Sequence, residues 1–261
     1  MQGSLVVVGT GMALGGQLTP EARDAIANAD IVFANVGDGM TEQWLRGLNA
    51  NLVSLQTYYG DGRTRAEAYD GMTEVILAAV REGQAVCAAF YGHPGVYVTP
   101  SHEAARRARA EGFEARMLPG ISAEDCLIAD LGVDPARTGW QSYEATDFFI
   151  YARKVDTTAS LVLWQIGVFG DLSLRDLKPH RERIELLTRV LLDTYPAAHE
   201  VTVYEASTLP VVPAKLQRVR LADLPDATVS QQSTLYIPPC SALQIDARRL
   251  AMLDGEDSQT R

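Results

Sequence analysis

The stretch FYGHPGVYV, residues 90–98, follows the apolar run QAVCAA at residues 84–89 and precedes a helical pattern that begins at Ser101. An apolar run, a glycine-containing loop and a helix in that order are typical of α/β domains. Such a loop lies at the carboxyl edge of a sheet, where open α/β domains bind their ligands. Gly92 and Gly95 keep side chains out of a ligand's path, and Pro94 restricts the course of the loop. The stretch therefore predicts an α/β fold with a ligand site at this loop.

The same alternation of strand and helix runs through the first half of the chain. Thr19 and Pro20 have the residue types of a helix cap and first helical position, directly after the apolar run SLVVVG. Strands are predicted within residues 4–11, 30–36, 51–59, 84–92 and 113–117, and helices within 19–29, 40–48, 64–83, 101–112 and 122–132. We expect residues 1–138 to form an α/β lobe with a mostly parallel sheet.

The second half has more β-branched residues and fewer helical patterns. Strands are predicted within residues 159–167, 200–207, 215–224 and 233–239. We expect residues 139–245 to form a smaller mixed α+β lobe, followed by a short terminal helix and polar tail at 246–261. The predicted fold class is therefore a two-lobed α/β protein.

Composition excludes several classes of function. The chain has 261 residues, 47% hydrophobic residues and a net charge of -10, with no apolar run long enough to cross a bilayer. An acidic protein lacks the basic footprint of a nucleic-acid binder, and its first residues do not resemble a signal peptide, so a cytoplasmic protein is predicted. The histidines and cysteines lack metal-ligand spacing, and we expect Cys87, Cys126 and Cys240 to be buried free thiols.

A second glycine-rich stretch, VVVGTGMALGG at residues 6–16, is an alternative ligand loop. Its spacing suggests a dinucleotide-binding turn, but Leu14 stands where the third glycine of that fingerprint belongs. The residues Asn35–Gly37 also stand where a ribose-binding acid is expected. A nicotinamide cofactor is therefore disfavoured, and a plain tight turn remains an alternative.

Four blocks carry a resemblance to a known family. VVGTG, YGHPGVYV, MLPGISAEDC and STLYIPP follow one another between residues 6 and 239, and together they resemble the tetrapyrrole methylase superfamily of S-adenosylmethionine (SAM) dependent enzymes. Within it, QTYYGDGRTRAEAYDGM and YEATDF most resemble the borosin peptide backbone α-N-methyltransferases. The resemblance implies a two-lobed fold, SAM in the cleft between the lobes, S-adenosylhomocysteine as product, and a homodimer that methylates main-chain amide nitrogens of a ribosomal peptide.

That reaction makes specific demands on the residues. An amide nitrogen is a poor nucleophile because its lone pair is delocalised into the carbonyl, so the site needs a proton acceptor and a donor near the amide oxygen. Arg65 and Tyr69 are four residues apart and share a helix face, and the glycine turn at 60–62 lets Tyr59 fold back toward them. A nearby guanidinium should lower a phenol pKa.

The resemblance implies that Tyr59, Arg65 and Tyr69 are catalytic, with one tyrosine as proton acceptor. The alternative is cation–π packing of tyrosine on arginine at a surface helix. Gln56 departs from the family pattern, which has a further tyrosine there.

The resemblance also implies the residues that contact SAM. Ser122 and Ala123 begin a helix, whose N-terminus favours the carboxylate of the methionine moiety. His93 has a structural hydrogen-bonding role as its alternative. The implied SAM contacts are Tyr91, His93, Val96, Ser122, Ala123, Gln165, Ala206, Ser233 and Thr234.

The expected partner is a precursor peptide. The chain ends about twenty residues after YIPP without an apolar core peptide, so we expect the split type, in which a separate precursor with a helical recognition domain is bound in trans, two per dimer. Two other functions stay open: methylation of a tetrapyrrole ring, and a SAM-binding or precursor-binding regulator without catalysis.

Overall fold

The computed structural model describes residues 2–59, 63–172 and 178–256, so the predicted glycine turn at 60–62 and the end of the polar tail lie outside the described residues. The strands are β1 Ser4–Gly9, β2 Ile31–Asn35, β3 Leu52–Ser54, β4 Ala85–Phe90, β5 Glu114–Met117, β6 Trp140–Glu144, β7 Ser160–Trp164, β8 Glu200–Glu205, β9 Lys215–Arg220 and β10 Thr234–Ile237. The helices are α1 Pro20–Asn28, α2 Gly39–Arg46, α3 Arg65–Arg81, α4 Thr99–Ala110, α5 Ala123–Leu131, α6 Pro135–Thr138, α7 Ala145–Ile150, α8 Arg181–Leu192 and α9 Ala247–Glu256.

The first five strands form one parallel sheet in the order β3-β2-β4-β1-β5. Helices cover both of its faces, because the central strands β1, β2 and β4 are apolar on both sides. On one face, α3 and α4 pack Ile76 and Ala104 against Val7. On the other face, α1 and α2 pack Ile26 and Leu45 against β2 and β4. The predicted parallel α/β sheet is confirmed.

The chain leaves the neighbouring strands β1 and β4 in opposite directions. β1 is followed by α1 and then β2, whereas β4 is followed by α4 and then β5, at the other edge of the sheet. The loops after β1 and β4 therefore lead to helices on opposite faces of the sheet, which makes the carboxyl edge at these two strands a topological switch point. Open α/β sheets bind ligands at such a switch point.

The other five strands form a second, mixed sheet in the order β6-β7-β10-β8-β9. β6 and β7 are parallel, and the remaining pairs are antiparallel. The mixed character predicted for the second half is confirmed, although β6, α7 and α8 were not predicted. The boundary between lobes at 138 and 139 remains a prediction.

Helix α5 lies between the two sheets. Its Leu127 is fully buried in a cluster with Trp164, Tyr204 and Tyr236 of the second sheet. The Tyr204 hydroxyl also donates a hydrogen bond to Asp130 at 2.7 Å. This helix, which follows the first sheet in the chain, therefore supplies apolar packing for the second.

Two further expectations concern the cysteines and the membrane. All three cysteines are free, but only Cys87 is buried. The expectation of burial is wrong for the half-buried Cys126 and Cys240, since neither lies on a central strand. Among the described residues, no helix has both the length and the apolar character needed to cross a bilayer.

Candidate active site

Arg65 and Tyr69 form a pair at the start of α3. Thr64 and Glu67 cap this helix reciprocally, which holds Arg65 at its first position. The Arg65 Nε donates to the Tyr69 hydroxyl at 2.9 Å, and its guanidinium carbon lies 5.3 Å from the centre of the Tyr69 ring. The predicted shared face is confirmed, and the cation–π contact named as the alternative is present in the same pair.

Tyr59 and Tyr91 join this pair. Tyr59 lies near enough to Tyr69, Tyr91 and Arg65 for their charges to affect its ionisation, and the ionisation of Tyr91 responds to Tyr69 and Arg65. Tyr91 directly follows β4, so the group lies at the carboxyl edge of the first sheet. We call these four residues the Tyr–Arg cluster; it brings together the three predicted catalytic residues and one predicted SAM contact.

Arg65 does lower the pKa of Tyr59, as expected, but its effect is outweighed, so the expectation of a low pKa is wrong for this tyrosine. Burial raises the pKa of Tyr59 above its usual value near 10, and the nearby Tyr69 and Tyr91 phenols raise it further. The lowering effects of the Asn35 hydrogen bond and of Arg65 are smaller. Burial likewise raises the pKa of Tyr91. Although 37% of Tyr59 is exposed, its phenol is therefore protonated at neutral pH.

A buried asparagine that sequence reasoning missed holds Tyr59 in place. Asn35 ends β2, is only 3% exposed and donates from Nδ2 to the Tyr59 hydroxyl oxygen at 3.1 Å. The backbone carbonyl of Asn35 also accepts a hydrogen bond from the Tyr91 N–H at 3.1 Å. The sequence did contain a signal for this residue, because Asn35 is a polar residue at the carboxyl end of an apolar strand, where α/β domains bind their ligands.

The neighbouring Tyr58 belongs to the packing of α3. An added Cβ at Gly71 would lie 2.7 Å from two ring atoms of Tyr58, so the ring packs directly on the glycine backbone. The Arg63 guanidinium carbon lies 5.9 Å from the centre of the same ring. Tyr58 therefore has the role named as the alternative for this segment, which is packing of a tyrosine ring against an arginine.

The two glycine loops that competed as ligand sites lie side by side. Gly11 and Gly92 exchange backbone hydrogen bonds, 3.2 Å from Gly11 N to Gly92 O and 2.9 Å from Gly92 N to Gly11 O. A Cβ on Gly9 would lie 2.3 Å from the Gly92 oxygen, and one on Gly120 would lie 3.0 Å from it. The glycines therefore let the ends of β1, β4 and β5 approach one another closely.

His93 has the structural role named as its alternative. Its Nδ1 accepts a hydrogen bond from the Gly95 N–H at 2.9 Å, and its carbonyl accepts one from the Val96 N–H at 3.2 Å. His102 contacts the carbonyl of Gly95 through Nε2 at 2.9 Å. These bonds fix the loop that carries Tyr91 and Val96.

Ser122 caps α5 with its own side chain. Its hydroxyl accepts from the Asp125 N–H at 3.1 Å and donates to the Asp125 carboxylate at 2.6 Å. The Asp125 carboxylate also accepts from the Ser122 N–H at 2.7 Å. A carboxylate of the protein thus already takes up part of the N-terminus that was predicted to bind the methionine carboxylate, and Ala123 begins the helix beside it.

The four other predicted SAM contacts lie together at one edge of the second sheet. Gln165 and Ala206 follow β7 and β8, and Ser233 and Thr234 stand at the start of the antiparallel β10 between them. Ser233 is fully buried and donates to Glu205 at 2.7 Å. Gln165 has a left-handed backbone, with φ 61°, a conformation that costs a residue other than glycine about 1 kcal/mol.

Contacts between the loops bring the two edges together. The ring centres of Tyr97 and Trp164 lie 6.1 Å apart, and the hydroxyl oxygens of Tyr97 and Ser142 lie 3.4 Å apart. In the loops after β1 and β8, the Leu14 N–H donates to the carbonyl of Thr208 at 2.9 Å. The predicted site residues therefore flank one region between the two sheet edges, which we call the crevice.

The crevice has features that fit SAM. Gly92 adopts φ 68°, and its Cβ position would be 4.0 Å from the Ser122 Cα, so the loop and the start of α5 form one continuous backbone surface. Tyr91, 45% exposed, supplies an aromatic face for a flat base. The residues can hold a cofactor that has a flat base and a polar amino-acid end.

The chain is similar to one known protein family and to several known proteins. Residues 4–225 match the family described as Tetrapyrrole (Corrin/Porphyrin) Methylases. A fused methyltransferase and precursor of ribosomally synthesized cyclic gymnopeptides from Gymnopus fusipes is 42% identical over 241 residues, which are 91% of this chain and 57% of that protein. The corresponding omphalotin A protein from Omphalotus olearius is 40% identical over 256 residues, 97% of this chain and 60% of that protein.

A solved structure has the same fold. Uroporphyrin-III-C-methyltransferase from Thermus thermophilus superimposes with a TM-score of 0.66 at 19% identity, over 92% of this chain and 93% of that one. The chain spans about six tenths of the length of the two fungal relatives. Those relatives carry a precursor and a methyltransferase in one chain, as their names state.

Proposed function

This chain belongs to the tetrapyrrole (corrin/porphyrin) methylase family, and we propose that it is a SAM-dependent methyltransferase that acts on backbone amide nitrogens of a borosin precursor peptide. The names of the fungal relatives support a peptide substrate. The observation that carries the proposal is the Tyr–Arg cluster, which stands at the crevice and offers the groups that amide methylation needs.

In the proposed mechanism Tyr69 first releases its own hydroxyl proton to solvent and then accepts the amide proton of the substrate. Its oxygen already receives a hydrogen bond from the Arg65 Nε at 2.9 Å, which places the guanidinium directly beside the proton acceptor. The other guanidinium N–H groups of Arg65 can face the amide oxygen as negative charge develops on it. Bound SAM would supply a methyl group on a cationic sulfur.

Tyr59 takes the complementary role. Its raised pKa keeps it a neutral phenol, and its oxygen accepts from Asn35, so its own proton is available to donate. A phenol that donates to the amide oxygen stabilises the imidate form of the substrate. The two tyrosines thus differ in their hydrogen-bond donors: the Tyr69 oxygen accepts from the cationic Arg65, and the Tyr59 oxygen accepts from the neutral amide of Asn35.

We propose that SAM is held by both sides of the crevice. Tyr91, His93 and Val96 belong to the glycine loop, and Ser122 and Ala123 to the start of α5. On the second sheet, Gln165, Ala206, Ser233 and Thr234 complete the set. His93 would act mainly through the loop conformation that it stabilises.

The manner of substrate supply stays a prediction. A separate precursor with a helical recognition domain, bound in trans by a homodimer in a 2:2 assembly, was expected from the sequence, whereas the fungal relatives are fused to their precursors. A cytoplasmic location is likewise a prediction. The second candidate function, methylation of a tetrapyrrole, is favoured by the family's own description.

The experiment is methyl transfer to a peptide, followed by intact mass spectrometry. Purified protein is incubated with SAM and a borosin-type precursor, added separately or fused to the chain, and mass gains of successive methylenes are expected on the peptide. A parallel reaction with a uroporphyrinogen substrate tests the tetrapyrrole alternative. Methylation of the ring and not of the peptide would overturn the proposal.

Variants separate catalysis from binding. Tyr69→Phe should keep SAM affinity, measured by calorimetry, and lose about 10²-fold or more in turnover, as expected for loss of a general base. Tyr58→Phe is the matched control, because Tyr58 packs on Gly71 outside the Tyr–Arg cluster and should keep its turnover. Unchanged turnover of Tyr69→Phe would show that a group other than Tyr69 is the base, whereas absence of turnover in the wild type would favour a non-catalytic binder.

A further inference from the structure

A chain of three polar side chains ends at Tyr59. Gln56 Nε2 donates to the Asn35 Oδ1 at 2.9 Å and to the carbonyl of Val36 at 2.6 Å. Asn35 Nδ2 in turn donates to the Tyr59 hydroxyl oxygen at 3.1 Å. Gln56 departs from the family pattern, and neither Gln56 nor Asn35 is among the site residues predicted from the sequence.

The direction of every bond in this chain is determined by one backbone group. A backbone carbonyl can only accept, so the Gln56 atom that faces Val36 is the amide nitrogen. The same nitrogen faces Asn35, whose nearest atom must therefore be its oxygen. Asn35 consequently turns its own nitrogen to Tyr59, and the Tyr59 oxygen is the acceptor.

We propose that Gln56 and Asn35 are positioning residues, which turn the hydroxyl proton of Tyr59 away from the sheet and toward the substrate amide oxygen. The inference rests on the proposed function and adds residues to the same site. A phenol has one proton, and a hydroxyl oxygen that accepts from Asn35 keeps that proton for another acceptor. Without the hydrogen bond from Gln56, the Asn35 amide could reverse, and Tyr59 could then donate inward to the Asn35 oxygen.

Burial makes this orientation stable. Asn35 is 3% exposed, so reversal of its amide would leave its oxygen facing Tyr59 and its nitrogen facing a Gln56 donor, with two donors opposed in a buried place. The Asn35 carbonyl accepts from the Tyr91 N–H, which ties the position of the asparagine to the start of the glycine loop. The chain therefore sets the direction of Tyr59 before substrate binds.

The first test is Asn35→Asp, which keeps the shape of the side chain. One carboxylate oxygen can still accept from Gln56, whereas the other can only accept from Tyr59, so the Tyr59 proton is drawn inward. We expect kcat to fall about 10²-fold to 10³-fold, the range for loss of one donor to a developing oxyanion. SAM affinity and the KM for SAM should stay unchanged.

The second test is Gln56→Glu at an exposed position of a 3₁₀ turn. A carboxylate there cannot donate to Val36 or Asn35, so the Asn35 amide should reverse and present its oxygen to Tyr59. This variant leaves Asn35 in place and should lower kcat in the same way. Asn49→Asp is the control, because Asn49 donates to the carbonyls of Ile26 and Ala29 away from the crevice and should change stability without changing kcat.

The hydrogen bonding of the Tyr59 hydroxyl can also be measured by NMR, independently of turnover. In protein labelled with ¹³C at the tyrosine Cζ, the Tyr59 signal is assigned by its absence in Tyr59→Phe. Both test variants should shift that signal in one direction, because the phenol changes from acceptor to donor, and Asn49→Asp should not shift it. An unshifted signal, or an unchanged kcat in both test variants, would overturn the inference. If wild-type protein fails to methylate any peptide, the proposed function fails, whereas the signal shift still decides the hydrogen-bond arrangement.

Discussion

A graded series of glycine substitutions tests whether close backbone packing shapes the crevice. An added Cβ at Gly9 would lie 2.3 Å from the Gly92 oxygen and 2.8 Å from Pro94 Cδ, whereas ordinary contact begins near 3.4 Å. The Gly92 carbonyl must therefore withdraw by roughly 1 Å, in a region packed to normal protein density. That carbonyl also accepts the Gly11 N–H, so its hydrogen bond weakens at the same time.

The magnitudes follow from these two effects. Overpacking costs about 1–3 kcal/mol and the weakened hydrogen bond about 1 kcal/mol, so Gly9→Ala should lower the free energy of unfolding by ~2–4 kcal/mol. Gly120→Ala meets the same oxygen at 3.0 Å and should cost about 1 kcal/mol. Gly16→Ala has its nearest neighbour at 3.9 Å and serves as the control, with an expected change within about 0.5 kcal/mol.

The assay is urea unfolding followed by circular dichroism, with SAM titration by calorimetry. Because Gly92 belongs to the predicted cofactor loop, Gly9→Ala should also weaken SAM binding by about tenfold, or ~1.4 kcal/mol, and Gly16→Ala should not. If Gly9→Ala proves as stable as Gly16→Ala, or the order of the series is reversed, the close approach of the three strand ends is not what shapes this loop.

Two further predictions concern single side chains. Tyr195 is 2% exposed and its hydroxyl has no hydrogen-bond partner within the described residues, so Tyr195→Phe should raise the free energy of unfolding by about 1 kcal/mol. Burial raises the pKa of Tyr195 above its unfolded value of 10.0. The stability that the protonated phenol contributes is therefore present below pH 10 and is lost as the pH rises further. Tyr195→Phe should resist alkaline unfolding better than the wild type, as a pH series of urea titrations would show. Gln165 has a left-handed backbone with φ 61°, so Gln165→Gly should keep the stability measured by thermal unfolding or raise it by up to about 1 kcal/mol. If the side chain is a cofactor contact, the same variant should bind SAM more weakly. Unchanged SAM affinity would remove Gln165 from the proposed SAM contacts.

Local patterns were enough to predict much of the fold. The helix expected within residues 101–112 is α4 at Thr99–Ala110, and the long amphipathic helix expected within 64–83 is α3 at Arg65–Arg81. Each has apolar residues at helical spacing and a clear end. α8 was missed although Ile184, Leu187 and Leu191 repeat three and four residues apart and are buried, so in that case the signal was present.

The site was harder to predict because its properties depend on residues distant in the chain. The pairing of Arg65 with Tyr69 follows from a spacing of four residues. The raised pKa of Tyr59 depends instead on burial and on Tyr91, thirty-two residues further along the chain. The bond between Asn35 and Tyr59 depends on the order of strands in the sheet. Spacing therefore predicts partners on one helix, and only the assembled sheet shows the partners across it.

The placement of α5 limits how this architecture can be recombined. In this chain Leu127 of α5 packs against Trp164, and Asp130 accepts a hydrogen bond from Tyr204. A chimaera of two relatives joined at the predicted boundary after residue 138 would place α5 of one parent against the second sheet of the other. Chimaeras with α5 and the second sheet from the same parent should tolerate exchange better than chimaeras divided at the junction itself. Helix α5 should therefore be exchanged together with the second sheet, although it precedes the predicted lobe boundary at residue 138.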